Sequence, residues 1–504
     1  MDANGETTLR QKIGLVLGPV VFLALQLMQP PADMAALFAG AEPSGEGLVP
    51  DARSAWLVLS LTALMAIWWV TEAIPIPVTS LLPIVILPFW GVASVGEVSG
   101  EYLHPVVVLL LGGFIIARAI ERWNLHERIA LGIVSRFDTS LASLVGGFMI
   151  AAATLSMWIS NTATAIMMAP IVLSVAAAVA KGEEARAKTA LVLLLGVAWA
   201  CSIGGLGTYI GTPTNLLVKN AVEASTGVTI DFLTWMAFGI PAVLVLTPLA
   251  WLVLVKWSFR FDGGRPEGAA IEVRERLAAL GNLTVPERRV ILLFALIAGL
   301  WMFGMPLSGL SIGGVEPFAG LNDQVVALFG VVLCFLVPAG GDAPRGERLL
   351  DWKTAETIPW GVVLLFGGGM ALAWAIRSSG LSEWIGGELE VFAGLPVILL
   401  ILLVTTIVIF ITEITSNVAT AAAVTPVLIA VAETGGIDPV LLAAPVALAA
   451  SCAFMLPMAT GPNAVVYATG NVSLPDMARA GFRLNMLGIF AITALSYWLA
   501  PMVL

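Results

Sequence analysis

Apolar runs long enough to cross a lipid bilayer recur along this chain from end to end. They fall near 13–29, 55–71, 76–92, 105–120, 189–219, 235–257, 290–305, 322–338, 359–376, 440–470 and 484–503. A spanning helix needs about 20 mostly apolar residues, and inside lipid every backbone polar group must find its partner within the protein. Two further apolar stretches, 140–180 and 395–432, fit neither one crossing nor two with a connecting loop. Each carries one polar break near its middle. That pattern predicts a re-entrant hairpin, two half-helices that enter and leave by the same side with the tip buried in protein. Alternating ten-residue segments, the mark of a membrane barrel, are missing from the sequence. The composition agrees: 59% of residues are hydrophobic and 12% charged, about half the charge of a soluble domain. The sequence therefore reads as an all-α polytopic membrane protein of about 11 transmembrane helices plus two re-entrant hairpins.

The segment Ile13–Met28 follows Arg10 and Lys12 and resembles a signal peptide. Its apolar part is long for one, and no small-residue cleavage site follows directly, so it reads as the first span. With a cytoplasmic N-terminus and hairpins that do not cross, all but three of the 24 Lys and Arg residues fall inside. The exceptions are Arg53, Lys219 and Arg377. The strongest inside loop, 256–289, holds Lys256, Arg260, Arg265, Arg274, Arg276, Arg288 and Arg289. The first outside loop is acidic, with Asp33, Glu42, Glu46 and Asp51. This is the positive-inside bias expected of a plasma-membrane (cell inner membrane) protein, and it favours non-crossing hairpins independently of any motif.

The formal net charge of −10 and the lack of a basic face exclude nucleic acid as a partner. Cys201, Cys334 and Cys452 lie in apolar segments and read as small buried hydrophobes. His104 and His126 belong to no metal-binding pattern, and no phosphate-binding loop occurs.

The two halves of the chain resemble each other. Leu-Leu-Leu-Gly-Gly-Phe from Leu109 pairs with Leu-Leu-Phe-Gly-Gly-Gly from Leu364. Ser160, Asn161, Thr164 and Pro170 meet Ser416, Asn417, Thr420 and Pro426 at a constant spacing of 256. A third pair is Gly-Thr-Pro-Thr-Asn from Gly211 and Ala-Thr-Gly-Pro-Asn from Ala459. Each half contains an odd number of crossings, so the copies lie upside down relative to each other. Inverted repeats with interrupted helices are a mark of secondary transporters.

Ser, Thr and Asn in membrane helices often only join helices or bond the preceding turn. Two repeat-related Ser-Asn pairs beside helix-breaking sequence point further. A helix C-terminus presents free carbonyls that suit a hard cation, and an N-terminus presents N–H groups that suit an anion. Opposite each tip lies a second break, Gly211-Thr212-Pro213 or Ala459-Thr460-Gly461-Pro462. The segments 140–180, 189–218, 395–432 and 440–475 contain no Lys, Arg or His. An anion held there needs helix N-termini, Asn and Thr donors, and cations bound beside it, so ion and anion binding are coupled. Neutral oxygen ligands suit Na⁺ better than a transition metal. Glu413 stands alone as a carboxylate in these segments; it reads as packing or capping support, with a direct coupling role as the alternative. Glu72, in Thr-Glu-Ala-Ile-Pro, reads as a capping or turn residue of helix-start type.

The stretches WWVTEAIPIPVTSLLP, SNTATAIMMAPI, TSNVATAAAVTP and LPMATGPNAVVYATGNVSLPDMARAGFRLNMLG together resemble the divalent anion/Na⁺ symporter family, which includes sodium-coupled di- and tricarboxylate carriers. The likeness runs from about residue 55 to the C-terminus. It implies a homodimer of elevator type. The N-terminus (1–12) would be cytoplasmic. Segments 13–139 and 290–394 would form a scaffold. Segments 140–257 and 395–504 would form a transport domain, with 258–289 as a cytoplasmic linker. By the same resemblance, Ser156, Ser160, Asn161 and Gly211 correspond to a first sodium site. Thr412, Thr415, Asn417 and Ala459 correspond to a second. Asn161, Thr162, Thr212, Pro213, Asn417, Val418 and Gly461 fall in the substrate cleft. The second motif reads Ser-Asn-Val rather than Ser-Asn-Thr, so Val418 removes a hydroxyl from the cleft. Gly461 and Thr214 stand where the family often has Pro.

The expected function is Na⁺-coupled import of a C4-dicarboxylate such as succinate, malate or fumarate, with Na⁺ as coupling ion. Carriage of citrate, sulfate or another oxyanion and Na⁺-independent dicarboxylate exchange are the alternatives. A channel would pass current without saturating at low substrate. An enzyme would need a catalytic constellation, and the sequence offers neither a His–acid pair nor paired intramembrane carboxylates.

Overall fold

A computed structural model of the protein describes residues 8–38, 51–137, 140–179, 182–259, 267–311, 314–388 and 395–504. Glu42, Glu46, Arg260 and Arg265, which entered the charge pattern above, lie outside the described residues.

The chain opens with α1 (Leu9–Leu27), started by a capping box in which Thr8 and Gln11 bond each other's backbone N–H. Asp51 caps α2 (Ala52–Thr71) by accepting from Arg53 N and Ser54 N. These two helices pack closely. A Cβ on Gly14 would lie 1.9 Å from Thr71 Oγ1, and one on Gly18 would lie 2.4 Å from Trp68 Nε1. Trp68 Nε1 also donates to Gly14 O at 3.0 Å. The expected third span is two short pieces, Ile76–Thr79 and Leu82–Phe89; Pro83, in the first turn of the second, has no N–H to continue the helix from the first. Then comes α3 (Pro105–Arg122).

The first hairpin is α4 (Leu141–Ser156) and α5 (Asn161–Val179). The expected span 189–219 is broken: α6 (Glu183–Gly204) runs into a 3₁₀ turn at Gly205–Gly207, and α7 (Pro213–Thr226) resumes after an unwound loop. The first half closes with α8 (Phe232–Leu252), which passes into a π-helical turn, Val253–Ser258. In the second half follow α9 (Val285–Ser308), α10 (Asp323–Leu336) and α11 (Trp360–Ser378). The second hairpin is α12 (Val397–Thr412) and α13 (Asn417–Thr434). The expected span 440–470 is also broken, into α14 (Pro439–Ala450) and α15 (Gly461–Ala468), before the long α16 (Leu474–Trp498). The fold is all-helical, with two hairpins and two broken spans arranged as inverted repeats.

Among the described residues, eight helices are long and apolar enough to cross a bilayer. A ninth span counts Val95–Glu101 with Pro105–Arg122, bent by 42°. Two of the eight are the second hairpin arms, α5 and α13. Of the broken spans α6 is long enough alone, while α14, α10 and the pieces within Ile76–Phe89 are too short to be counted. The second arm of each hairpin is longer than half a span: 19 residues in α5 and 18 in α13, about 28 Å at the longest.

Glu72 ends a helix rather than starting one. It is the C-cap of α2 in the left-handed region, φ 51°, with its N–H bonded to Trp68 O. The Pro75 that suggested a helix start opens the next piece instead. Cys201, Cys334 and Cys452 are all buried and free.

Side-chain bonds tie helix ends together. Arg122 pairs with Glu347 at 2.5 Å, and Arg118 donates to Thr357 O at 2.9 Å. Arg128 pairs with Glu287 at 2.8 Å. Tyr209 hydrogen-bonds Asp323, Ser225 bonds Glu433, and Lys219 pairs with Glu223 at 2.7 Å. Trp158 at the first hairpin tip stacks on Phe232 and meets Phe294 edge-on at 5.0 Å. Phe232 in turn stacks on Trp301 at 5.3 Å.

Candidate functional site

Eight helix ends meet where the two hairpins face the two broken spans. α4, α6, α12 and α14 bring C-termini; α5, α7, α13 and α15 bring N-termini. The sequence dictates these ends. Ser160-Asn161 and Ser416-Asn417 start helices, and Pro213 and Pro462 sit in first turns where no intrahelical N–H bond is lost. The C-terminal ends supply carbonyls, and the N-terminal ends supply positive potential.

In the first half, Ser156 Oγ donates to Cys201 O at 2.7 Å and lies 2.5 Å from Asn161 Oδ1. The Asn161 amide can face this nest in two ways. With Nδ2 inward it donates to Gly211 O at 3.3 Å, Cys201 O at 3.2 Å and Ser156 Oγ at 2.5 Å. With Oδ1 inward, four neutral oxygens converge from Asn161, Ser156, Cys201 and Gly211. That donor set fits a hard monovalent cation. The approach needs glycine: a Cβ on Gly205 would lie 2.8 Å from Asn161 Oδ1, and one on Gly211 2.6 Å from Gly205 O.

The second half repeats the arrangement. Thr412 Oγ1 donates to Asn417 Oδ1 at 2.7 Å and to Ala450 O at 2.9 Å. Thr412 is fully buried and Thr415 nearly so. Thr415 bonds Thr420 at 2.6 Å and Ile411 O at 2.9 Å.

Behind each nest the unwound loop is held differently. In the first half, Thr208 Oγ1 donates to Met157 O at 2.6 Å and accepts from Gly211 N at 3.1 Å. In the second, Glu413 does this work. Its Oε1 accepts from Phe454 N at 2.8 Å, Met455 N at 3.0 Å and Asn485 Nδ2 at 2.7 Å. Its Oε2 accepts from Met455 N and Leu456 N, both at 3.1 Å. Of the two roles expected for Glu413, these bonds are those of support. Each loop is also tied by an asparagine: Asn215 Nδ2 bonds Gly205 O and Thr208 O, and Asn463 Nδ2 bonds Ala453 O and Leu456 O.

Both tips border one cavity of about 930 Å³. Ser160, Asn161, Thr162, Gly211, Pro213, Thr415, Asn417, Val418, Ala459 and Gly461 line it. Ser156, Thr212 and Thr412 do not; they are buried behind it. The two halves touch across it. A Cβ on Gly461 would lie 1.9 Å from Thr162 Oγ1, and Thr214 Oγ1 bonds Ser451 Oγ at 2.8 Å.

No basic side chain comes from the motif segments; outside them, Arg10 of α1 lines the cavity with Thr8, Gln11 and Glu72. Its guanidinium donates to Ile414 O at 2.8 Å and Thr71 O at 3.2 Å, and pairs with Glu72 at 3.3 Å. It thus bridges the end of α2 to the second hairpin tip. No sequence signal linked residue 10 to residue 414.

The description "sodium:sulfate symporter transmembrane region" matches residues 35–504. The chain belongs to this family. That agrees with the resemblance drawn from the motifs. Among curated relatives, the sodium-dependent dicarboxylate transporter SdcS of Staphylococcus saprophyticus is 39% identical over 507 residues, 99% of this chain and 93% of the relative. SdcS of Staphylococcus aureus is 39% identical over 500 residues, 98% and 92% of the two chains. Among solved structures, the crystal structure of the Alcanivorax borkumensis YdaH transporter superposes with a TM-score of 0.57 at 15% identity, covering 96% of this chain and 98% of that one. At that identity the likeness speaks to the fold alone.

Besides Arg10, four contributors escaped the sequence reading. The carbonyls of Cys201 and Ala450 are invisible in it because any residue carries one. Thr208 and Asn485 act across loops and helices far apart in the chain. Ser and Thr at a C-terminal half-helix end, five residues before Asn161 or Asn417, is the spacing that could have marked the nests.

Proposed function

We propose that the protein is a Na⁺-coupled symporter that imports C4-dicarboxylates such as succinate, malate and fumarate. One observation carries the reading. Two nests of neutral oxygens, built alike in the two repeats, flank one cavity on which four helix N-termini converge. Cations in the nests complete a site for an anion that has no basic side chain of its own among the motif segments. Anion binding is poor until the cations arrive, and that dependence is the coupling. The sodium-dependent dicarboxylate transport by which the SdcS relatives are named supports both sodium and dicarboxylate.

In this reading Asn161, Thr162, Pro213, Asn417, Val418 and Gly461 contact substrate, and Thr212, buried behind the cavity wall, does not. Ser156, Ser160, Asn161 and Gly211 serve one Na⁺; Thr412, Thr415, Asn417 and Ala459 serve the other. The N-terminus is cytoplasmic, so the cavity edged by Thr8 and Arg10 opens to the cytoplasm. The hairpins and broken spans move as one body past a scaffold of 13–139 and 290–394, within a homodimer in the plasma membrane. Each cation charge in excess of the anion's gains about 2.3 kcal/mol per 100 mV, inside negative.

Labelled succinate uptake into proteoliposomes tests this. An inward Na⁺ gradient is expected to drive accumulation and an equal K⁺ gradient is not. Equal uptake in both would overturn the coupling. Unlabelled fumarate and malate are expected to compete; competition by citrate or sulfate alone would move the substrate to another oxyanion.

A further inference from the structure

We infer that Asn215 and Asn463 are positioning residues that set the geometry of the two cation nests. The inference rests on the Na⁺-coupled reading above. Each asparagine sits in the first turn after an unwound loop and reaches back across it. Asn215 Nδ2 donates to Gly205 O at 2.9 Å and Thr208 O at 2.8 Å. Asn463 Nδ2 donates to Ala453 O and Leu456 O, both at 3.1 Å. In both halves the carbonyls held lie ten and seven residues before the asparagine. The residues held have diverged, Gly205 to Ala453 and Thr208 to Leu456, and the pair of bonds has not.

These bonds decide which carbonyl the loop leaves free. With Gly205 O and Thr208 O taken by Asn215, the Gly211 carbonyl is the one turned to Asn161. Ala459 stands four residues before Asn463, as Gly211 stands before Asn215. Both side chains are fully buried, and each leaves its Oδ1 without a partner among the described residues. Two donors are used and the acceptor is idle, so the amide is there for its NH₂ group. An aspartate of the same shape would lose both donors and set a carboxylate against two carbonyl oxygens. Both loops lie behind the nests, and Asn215 and Asn463 are absent from the cavity wall, so they act on cations through the loop and not by touching substrate.

The test is the Na⁺ dependence of succinate uptake by the full-length protein in proteoliposomes, with choline replacing Na⁺. It is paired with the Na⁺-induced rise in melting temperature measured without succinate. Asn215→Ala and Asn463→Ala are each expected to raise the half-saturating Na⁺ concentration in both assays by at least ~10-fold, the usual effect of removing a group that orients a metal ligand. Uptake at saturating Na⁺ and the succinate KM measured there stay near wild type. A brace with a merely structural role would lower the melting temperature in choline and leave half-saturation unchanged. Asn215→Gln and Asn463→Gln keep the NH₂ on a longer arm and cover the case where the alanine variants do not fold. They are expected to fold with weakened Na⁺ activation. Folded variants with wild-type Na⁺ half-saturation would overturn the inference. A wild-type protein indifferent to Na⁺ would instead overturn the reading on which it rests.

Discussion

Asn161→Ala abolishes Na⁺-driven succinate uptake, lowering it at least ~100-fold, and Asn417→Ala does the same. Each asparagine starts a hairpin's second helix, supplies an oxygen to one nest and borders the cavity. Alanine removes the oxygen but keeps a good helix former at the start of the arm. The nest is left with a hydroxyl and backbone carbonyls, too few ligands to replace the water around a sodium ion. The loss therefore lies in ion binding and not in folding. Radiolabelled uptake measures the first, and size-exclusion chromatography with thermal denaturation measures the second. A variant that folds and still transports removes its asparagine from the site.

Glu413→Ala has the largest effect on stability. The carboxylate is 3% exposed and accepts from three backbone N–H groups and from Asn485. Deleting it strands these buried donors, each costing about 1–3 kcal/mol where no water replaces the lost partner. A net loss of ~3–5 kcal/mol is expected, the range found when one partner of a buried charged network is removed. Glu413→Gln is milder, because the amide keeps one accepting oxygen while turning an NH₂ toward N–H groups. Thr208→Ala, the counterpart in the first half, loses neutral hydrogen bonds and costs about 1 kcal/mol. Thermal denaturation in detergent should rank the three in that order. A Glu413→Ala protein as stable as wild type would show that the two bonds of Asn463 hold the loop between α14 and α15 without the carboxylate.

The helix breaks were legible because they depend on residue type. Pro and Gly cannot continue a membrane helix unnoticed, and Ser-Asn pairs mark the hairpin tips at Asn161 and Asn417. The inverted repeat was legible from motif spacing and odd crossing numbers. Contacts that rest on backbone carbonyls were not, since Cys201 and Ala450 contribute atoms their side chains do not specify. Arg10 was missed because its partners, Thr71 and Ile414, depend on how α1 docks, not on anything near residue 10. Glu72 was read as a capping or turn residue where the second span meets the third, and it is one; the helix-start pattern of Thr-Glu before a proline did not show that it closes α2 through a left-handed residue. The short amphipathic helix Leu125–Val134 passed unseen because its length falls below that of a span.

The contacts of Thr162 with Gly461 and of Thr214 with Ser451 join opposite halves, so neither half owns the cleft. A half-length chain bearing one copy of these motifs could build it only by pairing with a second copy inserted the other way up. Its flanking charges would then have to be nearly neutral in their preference for either side of the bilayer. Covalent fusion removes that requirement. Each half is free to carry its own strong charge bias, and the insertion machinery never has to deliver equal numbers of two opposed forms.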